Sequence, residues 1–413
     1  MQVPRIGRLL ANSALGCGLA IFVSAPSEGA HARHFQAIYS FKGGNDGDDP
    51  PSGVISDKDG NLYGATIAGG GTGCNGYGCG TVFKLAPDGT ETVLYSFKGG
   101  SDGVSPLGGL IRDKQGNLYG TTQVGGGTGC YGQKGCGTIY KIAPDGTETV
   151  LYAFKGGSDG YNPARALLRD RSGNLYGTTY QGGSSCDSYG CGTLFELAPN
   201  GTETVLHAFC VDDNLYCADG RKPLSTLVMD KAGDLYGTTT ASGPNGVGTV
   251  FKFGKGGELS TLYSFCAPPS NCYDGEFPSA GVVMDDIGNL YGTTEVGGEF
   301  GWGAVFRLAP DGTETVLHSF DAGADGGNPE AGVILGREGA LYGTLTYGGI
   351  SCQSNSAVFR LAANGNLKRF CSPSYMNGGA IEKNGSYFGT IGTSGEFPHG
   401  AIFAISKKPR LSR

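Results

Sequence analysis

The sequence has 413 residues, 78 of them glycine, with 16% charged residues and a formal net charge of -7. Glycine is far above its usual share of roughly 7%, yet it keeps no Gly-X-Y period and is interleaved with Val, Ile, Leu, Tyr and Phe at strand-like spacing. A collagen and a simple disordered chain are therefore excluded, and the negative charge opposes approach to a phosphate backbone or an anionic membrane surface, so no nucleic acid is expected as a partner.

Arg5 and Arg8 precede an apolar run from Leu9 to Val23, and the small residues that follow end in Ala30-His31-Ala32, the A-x-A form of a leader cleavage site. Residues 1–32 are expected to be a signal peptide. The apolar run falls short of the roughly 20 residues that span a bilayer and contains Asn12 and Ser13, so no stable membrane span is expected after cleavage. A secreted, periplasmic or cell-surface location follows.

Three anchors then recur. A Leu-Tyr-Gly element is centred on Tyr63, Tyr119, Tyr176, Tyr236, Tyr291 and Tyr342, with a degenerate Tyr387-Phe388-Gly389. An aromatic closes a Gly-Thr-Val-Phe-type strand at Phe83, Tyr140, Phe195, Phe251, Phe306, Phe359 and Phe403. A Val-Leu-Tyr-Ser-Phe strand ends at Phe97, Phe154, Phe209, Phe265, Phe320 and Phe370, and its first copy, Phe41, precedes every other element. Each anchor counts seven, and successive Leu-Tyr-Gly elements stand about 45 to 60 residues apart, the period of propeller blades.

Within one unit the alternation of β-branched and aromatic residues predicts four strands, 53–57, 61–66, 80–86 and 91–97. Lys58-Asp59-Gly60-Asn61 and Ala86-Pro87-Asp88-Gly89 are the hairpin turns between them. A lone blade cannot bury its apolar face, so the copies must stack into a ring. The chain opens mid-unit with a strand at about 35–41 and ends after the third strand of its last unit, 401–405. The expected fold is all-β: a seven-bladed β-propeller of four-stranded antiparallel blades over residues 33–407, closed by the N-terminal strand joining the C-terminal blade, with a basic tail at 408–413. The Tyr-Gly pair is read as packing, the ring filling space between blades and the glycine admitting a neighbouring backbone.

Cys17 leaves with the leader and twelve cysteines remain. Ten form close pairs: Cys74 with Cys79, Cys130 with Cys136, Cys186 with Cys191, Cys210 with Cys217, and Cys266 with Cys272. Export makes these disulfides. Cys352 and Cys371 lie in two loops that an antiparallel blade sends to the same face, so a bond between them is feasible, and all the cysteines should decorate one rim. No histidine accompanies the pairs, so a structural zinc site is disfavoured, and no metal or cofactor is expected.

No G-x-S-x-G elbow, H-E-x-x-H, P-loop or His-carboxylate grouping with supporting spacing is found, and no catalytic residue is assigned. Asp46, Asp102, Asp159, Asp219, Asp274 and Asp325 recur before glycine after the fourth strand; turn formation is preferred there over a calcium-binding ring. Asp57, Asp113, Asp170, Asp230 and Asp285 are read as hairpin caps. The candidate binding residues are rim aromatics: Tyr77, Tyr131 and Tyr189 inside cysteine-pinned loops, Tyr216 and Tyr273 inside two others, and Trp302 and Tyr347 in matching loops of later blades. Rings on disulfide-fixed loops lose little entropy on binding and suit a glycan or an extracellular protein.

Gly-Asn-Leu-Tyr-Gly-Thr-Thr, Gly-Thr-Val-Phe-Lys-Leu and Leu-Tyr-Ser-Phe with Asp-Gly resemble the GloVer tandem-repeat family of exported bacterial proteins, over roughly Phe35 to Ile405. The resemblance implies an extracellular setting and supplies no catalytic residues. The leading expectation is a monomeric, non-enzymatic binding or scaffold module at the cell exterior. A secreted carbohydrate-active lyase or hydrolase with its site in the central channel or on the rim is the alternative. Two or more unrepeated ionisable side chains converging in one pocket would mark the latter.

Overall fold

The computed structural model describes residues 34–406 apart from 131, 133, 164, 184–188, 212–216, 268–270, 354, 377 and 380; the expected leader and basic tail lie outside the described residues. The repeats form seven four-stranded antiparallel sheets, each ordered first to fourth from the inside of the ring outward. In blade 1 the strands are Ile55–Ser56, Leu62–Thr66, Thr81–Leu85 and Glu91–Ser96. The inner strand is shorter than the sequence pattern at both ends, and just past its C-terminal end Asp57 caps the hairpin. Its Oδ1 accepts the main-chain N–H groups of Asp59 and Asn61 at 3.0 Å each, and its Oδ2 accepts the Asn61 amide at 2.7 Å and the Tyr63 hydroxyl at 3.0 Å.

Closure follows the predicted route. His34–Ser40 pairs antiparallel with Ala401–Ser406, with Ala37 opposite Phe403, and becomes the outer strand of blade 7. The ring is held by aromatic rings meeting edge to face across blade boundaries: Phe41 on Phe83 at 5.1 Å between centroids, Phe97 on Tyr140 at 5.0 Å, and four further pairs down to Phe320 on Phe359. Nearer the axis, the hydroxyls of Thr178, Thr238, Thr293 and Thr390 donate to main-chain carbonyls of the following blade, at Ser225, Ala280, Ala331 and Ser52.

Two sequence expectations need correction. The glycine after each Leu-Tyr admits a ring, not a backbone: a Cβ on Gly177 would stand 2.6 Å from Phe195 Cζ, and the directly opposed residue plays the same part in all seven blades. Phe370 is not the seventh member of the strand-closing phenylalanines. Blades 1 to 5 carry a bulge that inserts one residue into the outer strand, whereas blade 6 pairs without one, so Phe370 falls opposite Val358, the register position of Tyr95 opposite Val82. Ser372 takes the missing place, and that boundary is packed instead by Tyr342 stacked on Tyr387 at 4.1 Å.

Candidate functional site at the mouth of the central channel

Second strands run toward one face of the ring and fourth strands end there, so the loops after both share it. The disulfides Cys74–Cys79, Cys130–Cys136, Cys210–Cys217 and Cys266–Cys272 sit in those loops, and Cys352–Cys371 joins one of them to Cys371, which is the last residue of the blade 6 outer strand and not the loop residue expected from the sequence. Cys191 is disulfide-bonded, while its expected partner Cys186 lies outside the described residues. The sulfur–carboxylate grouping of Cys266, Cys272 and Glu276 has both sulfurs committed to a disulfide and is not a metal site.

The rim aromatics do not converge as a set. Tyr77, Tyr189 and Tyr273 are 78%, 62% and 54% exposed and stand on blades 1, 3 and 4. Tyr131 and Tyr216 lie outside the described residues. Trp302 of blade 5 meets Tyr347 of blade 6 at 5.8 Å, with the rings 31° apart. The recurring Asp-Gly carboxylates are occupied: Asp46 accepts the Tyr39 hydroxyl at 2.7 Å and the Lys42 main-chain N–H at 2.6 Å, and the same pair of donors serves Asp102 and Asp159. Gly99-Gly100-Ser101-Asp102-Gly103 and its copy at 156–160 spell G-x-S-x-G, but among the described residues no helix follows them, as a nucleophile elbow requires.

On this same face a cavity of about 350 Å³ opens along the axis, with Ser52, Gly109, Arg165, Thr226, Gly281, Gly332 and Gly379 among its lining, one residue from each blade. The wall is made of small residues with one exception in this series. Arg165 stands where five other blades have Ser52, Gly108, Ser225, Ala280 and Ala331. Its Nη2 donates to the main-chain carbonyl of Ser279 at 2.9 Å, so the side chain reaches from blade 3 past blade 4 to blade 5. Its Nε is buried with no partner. Burial holds the guanidinium pKa below its ordinary value, while the carboxylate of Glu330, on the same cavity wall, acts in the opposite sense. Glu295 adds a second unrepeated carboxyl, pushed up by burial and then by the charge of Glu330.

Around this mouth the backbone repeats and the side chains do not. Asp49, Ser105, Asn162, Lys222, Phe277 and Asn328 each precede a proline and each hold φ between 53° and 62°. Their carbonyls accept the N–H groups of Ile67, Gln123, Tyr180, Thr240, Glu295 and Thr346, from 3.0 to 3.2 Å. A left-handed conformation costs a non-glycine residue about 1–2 kcal/mol. Six blades hold that conformation, with Asn or Asp, which tolerate it best, at three of them and Ser, Lys and Phe at the others, and the result is a crown of twelve side chains of ten kinds on one scaffold. Sequence reasoning missed both Arg165 and this crown. Lining up the X-Pro dipeptides of the repeats exposes them, because the residue before each proline and the second residue after it are where the units part.

Among the described residues no helix is long and apolar enough to cross a membrane. No curated protein matches the chain. Among solved structures it is similar to one described as a streptogramin B lyase, with 13% identity, a TM-score of 0.57, and 91% of this chain and 97% of that one covered. It is also similar to a luciferin-regenerating enzyme, with 12% identity, a TM-score of 0.43, and coverage of 72% and 90%. The first likeness is one of fold alone. The model of the Gloeobacter/Verrucomicrobia repeat matches residues 20–186, 77–271, 131–359 and 268–411. With the repeat matched almost from end to end and its sevenfold closure described, the chain belongs to the Gloeobacter/Verrucomicrobia repeat family, the GloVer tandem repeat named from its sequence.

Proposed function

We propose that the protein is an exported binding propeller that takes a polar, acid-bearing glycan or extracellular protein segment into the channel mouth on its disulfide-pinned face. One observation carries the reading: Arg165, the one cationic side chain among the described residues that line the cavity, extends across the axis from blade 3 to blade 5 with a buried N–H unspent. A guanidinium removed from bulk water attracts a carboxylate far more strongly than one on the surface, and its planar fork suits that group. The crown supplies contacts that differ from blade to blade, which is what selecting one ligand from many requires. Trp302 and Tyr347 offer an aromatic platform on the same face.

Arrays of neutral and acidic oligosaccharides and of secreted proteins test this reading. Binding should be confined to carboxylate-bearing ligands, fall at least tenfold in Arg165→Gln, and persist in Tyr77→Ala. Binding that is indifferent to Arg165 overturns it.

A second reading rests on Glu295 and Glu330. Glu330 shares the cavity wall with Arg165, and Glu295, held protonated toward higher pH by burial and by the charge of Glu330, completes an unrepeated carboxyl pair of the kind that serves as general acid and base. Turnover of an acidic oligosaccharide, lost in both Glu295→Gln and Glu330→Gln with binding retained, would make the protein an enzyme.

A further inference from the structure

The seven blade boundaries carry a second, repeated constellation well away from the channel. The outer strand of each blade presents a residue at the register position of Tyr95, opposite Val82, and the outer strand of the next blade begins with a residue at the position of Glu91, opposite Leu85. Four boundaries pair Tyr39 with Glu91, Tyr95 with Glu148, Tyr152 with Glu203, and Tyr263 with Glu314. Two pair a histidine with a leucine: His207 with Leu259 and His318 with Leu367. The last pairs Phe370 with Phe35. Tyrosine always faces glutamate, histidine always faces leucine, and phenylalanine faces phenylalanine.

The third member of each set explains the rule. Each of the four tyrosines donates its hydroxyl to an aspartate in the loop behind it: to Asp46 and Asp102 at 2.7 Å, to Asp159 at 2.9 Å and to Asp274 at 2.8 Å. The glutamate of the following blade packs against that aspartate, with one carboxyl oxygen, Oε1, buried and without a partner in all four. Two carboxyl groups sharing one half-buried pocket cannot both carry charge cheaply, so one must keep its proton. At the histidine boundaries His207 and His318 meet Asp219 and Asp325 at 2.8 and 3.0 Å, and the second carboxyl is replaced by leucine. At the phenylalanine boundary the aspartate is missing too. The second acid thus appears only with a neutral hydroxyl donor and a first acid, as one unit.

We propose that the four Tyr–Asp–Glu clusters are proton-held clasps, each joining two neighbouring blades while its glutamate is neutral and loosening that boundary when the glutamate ionises. The groups facing each glutamate are few. Glu91 faces Asp46, Tyr39 and Lys42; Glu148 faces Asp102, Tyr95, Tyr140 and Lys98; Glu203 faces Asp159, Tyr152 and Lys155; Glu314 faces Asp274 and Tyr263. The lysines favour ionisation, and burial and the aspartates oppose it. The balance pushes all four glutamates up to about 7, by burial first and the neighbouring aspartate second. A carboxyl raised in the folded state stabilises the fold fully below the ordinary glutamate range. That contribution declines as pH climbs out of that range and is gone above about 7. The ring is therefore tightest in mildly acid surroundings.

The test follows thermal unfolding of the full chain between pH 5 and pH 8.5, for the native protein and for Glu91→Gln/Glu148→Gln/Glu203→Gln/Glu314→Gln. The histidines are the same in both proteins, so the difference between them isolates the glutamates. The native Tm should fall as pH rises. The variant should lose most of that slope and be the more stable protein above pH 7, and each single replacement should remove roughly a quarter of the slope, because the four boundaries are far apart. Equal slopes in native and variant proteins overturn the proposal. Should the fourfold variant fail to fold, carbon NMR of the native protein's glutamate carboxyls decides: four midpoints near neutrality support the clasps, and ordinary acidic midpoints overturn them.

Discussion

Phe41 and Phe83 meet edge to face at 5.1 Å although Phe41 follows the strand that completes blade 7 and Phe83 lies in the third strand of blade 1. Both rings are buried, at 4% and 0% exposure, so this pair seals the boundary where the two ends of the ring meet. Phe41→Ala should cost about 3–5 kcal/mol, the range for deleting a buried phenylalanine. Urea unfolding measures it, and a double-mutant cycle with Phe83→Leu should return a coupling of about 0.5–1.5 kcal/mol. A cost no larger than that of a surface substitution would show that the ring is held elsewhere.

The disulfides should contribute unequally. Cys352–Cys371 spans 19 residues and joins the loop after the second strand to the end of the outer strand, whereas Cys74–Cys79 closes a loop of sequence separation 5. Loop-closure entropy gives roughly 3 kcal/mol for the longer bridge and roughly 2 for the shorter. Paired Cys→Ala replacements, compared by chemical denaturation, should follow that order.

Acid should attack a different part of the blade. Burial works against the Asp57, Asp113 and Asp285 carboxylates, but hydrogen bonds from Asn61, Asn117 and Asn289, with others from tyrosine and the main chain, outweigh it and hold these pKa values below the usual aspartate range. A lowered carboxyl stabilises the fold at pH above its unfolded value and loses that contribution as pH falls through its folded one. Below about pH 4 the inner hairpins should be first to weaken. Asp113→Asn should flatten the acid limb of a stability profile and leave the neutral limb unchanged, as read by circular dichroism.

Much of the fold was legible because it is repeated. Phe41 stands before any complete unit and Phe403 ends the last one, so strand-for-strand complementarity leads to the closed ring without any knowledge of packing. Phe370 misled because counting aromatics cannot reveal a missing bulge residue; only the pairing of Phe370 with Val358 does. The rim aromatics were found as residue types, but only Trp302 and Tyr347 among the described ones come into contact, since blades hold their loops apart. Arg165 escaped notice for the opposite reason: attention to what recurs passes over the one position that breaks the pattern. The Tyr–Asp–Glu units were hidden in plain sight, because their members belong to different blades and only register places them together.

The outer strand of blade 7 has its sole partner at the far end of the ring, so this pairing closes the longest loop in the molecule and forms after local hairpins have formed. Until then the Ala401–Ser406 strand is an uncovered edge whose required sequence is also carried by every other copy in solution. Refolding at high concentration accordingly sets self-completion against exchange of this one strand between molecules, and dilution favours the monomer.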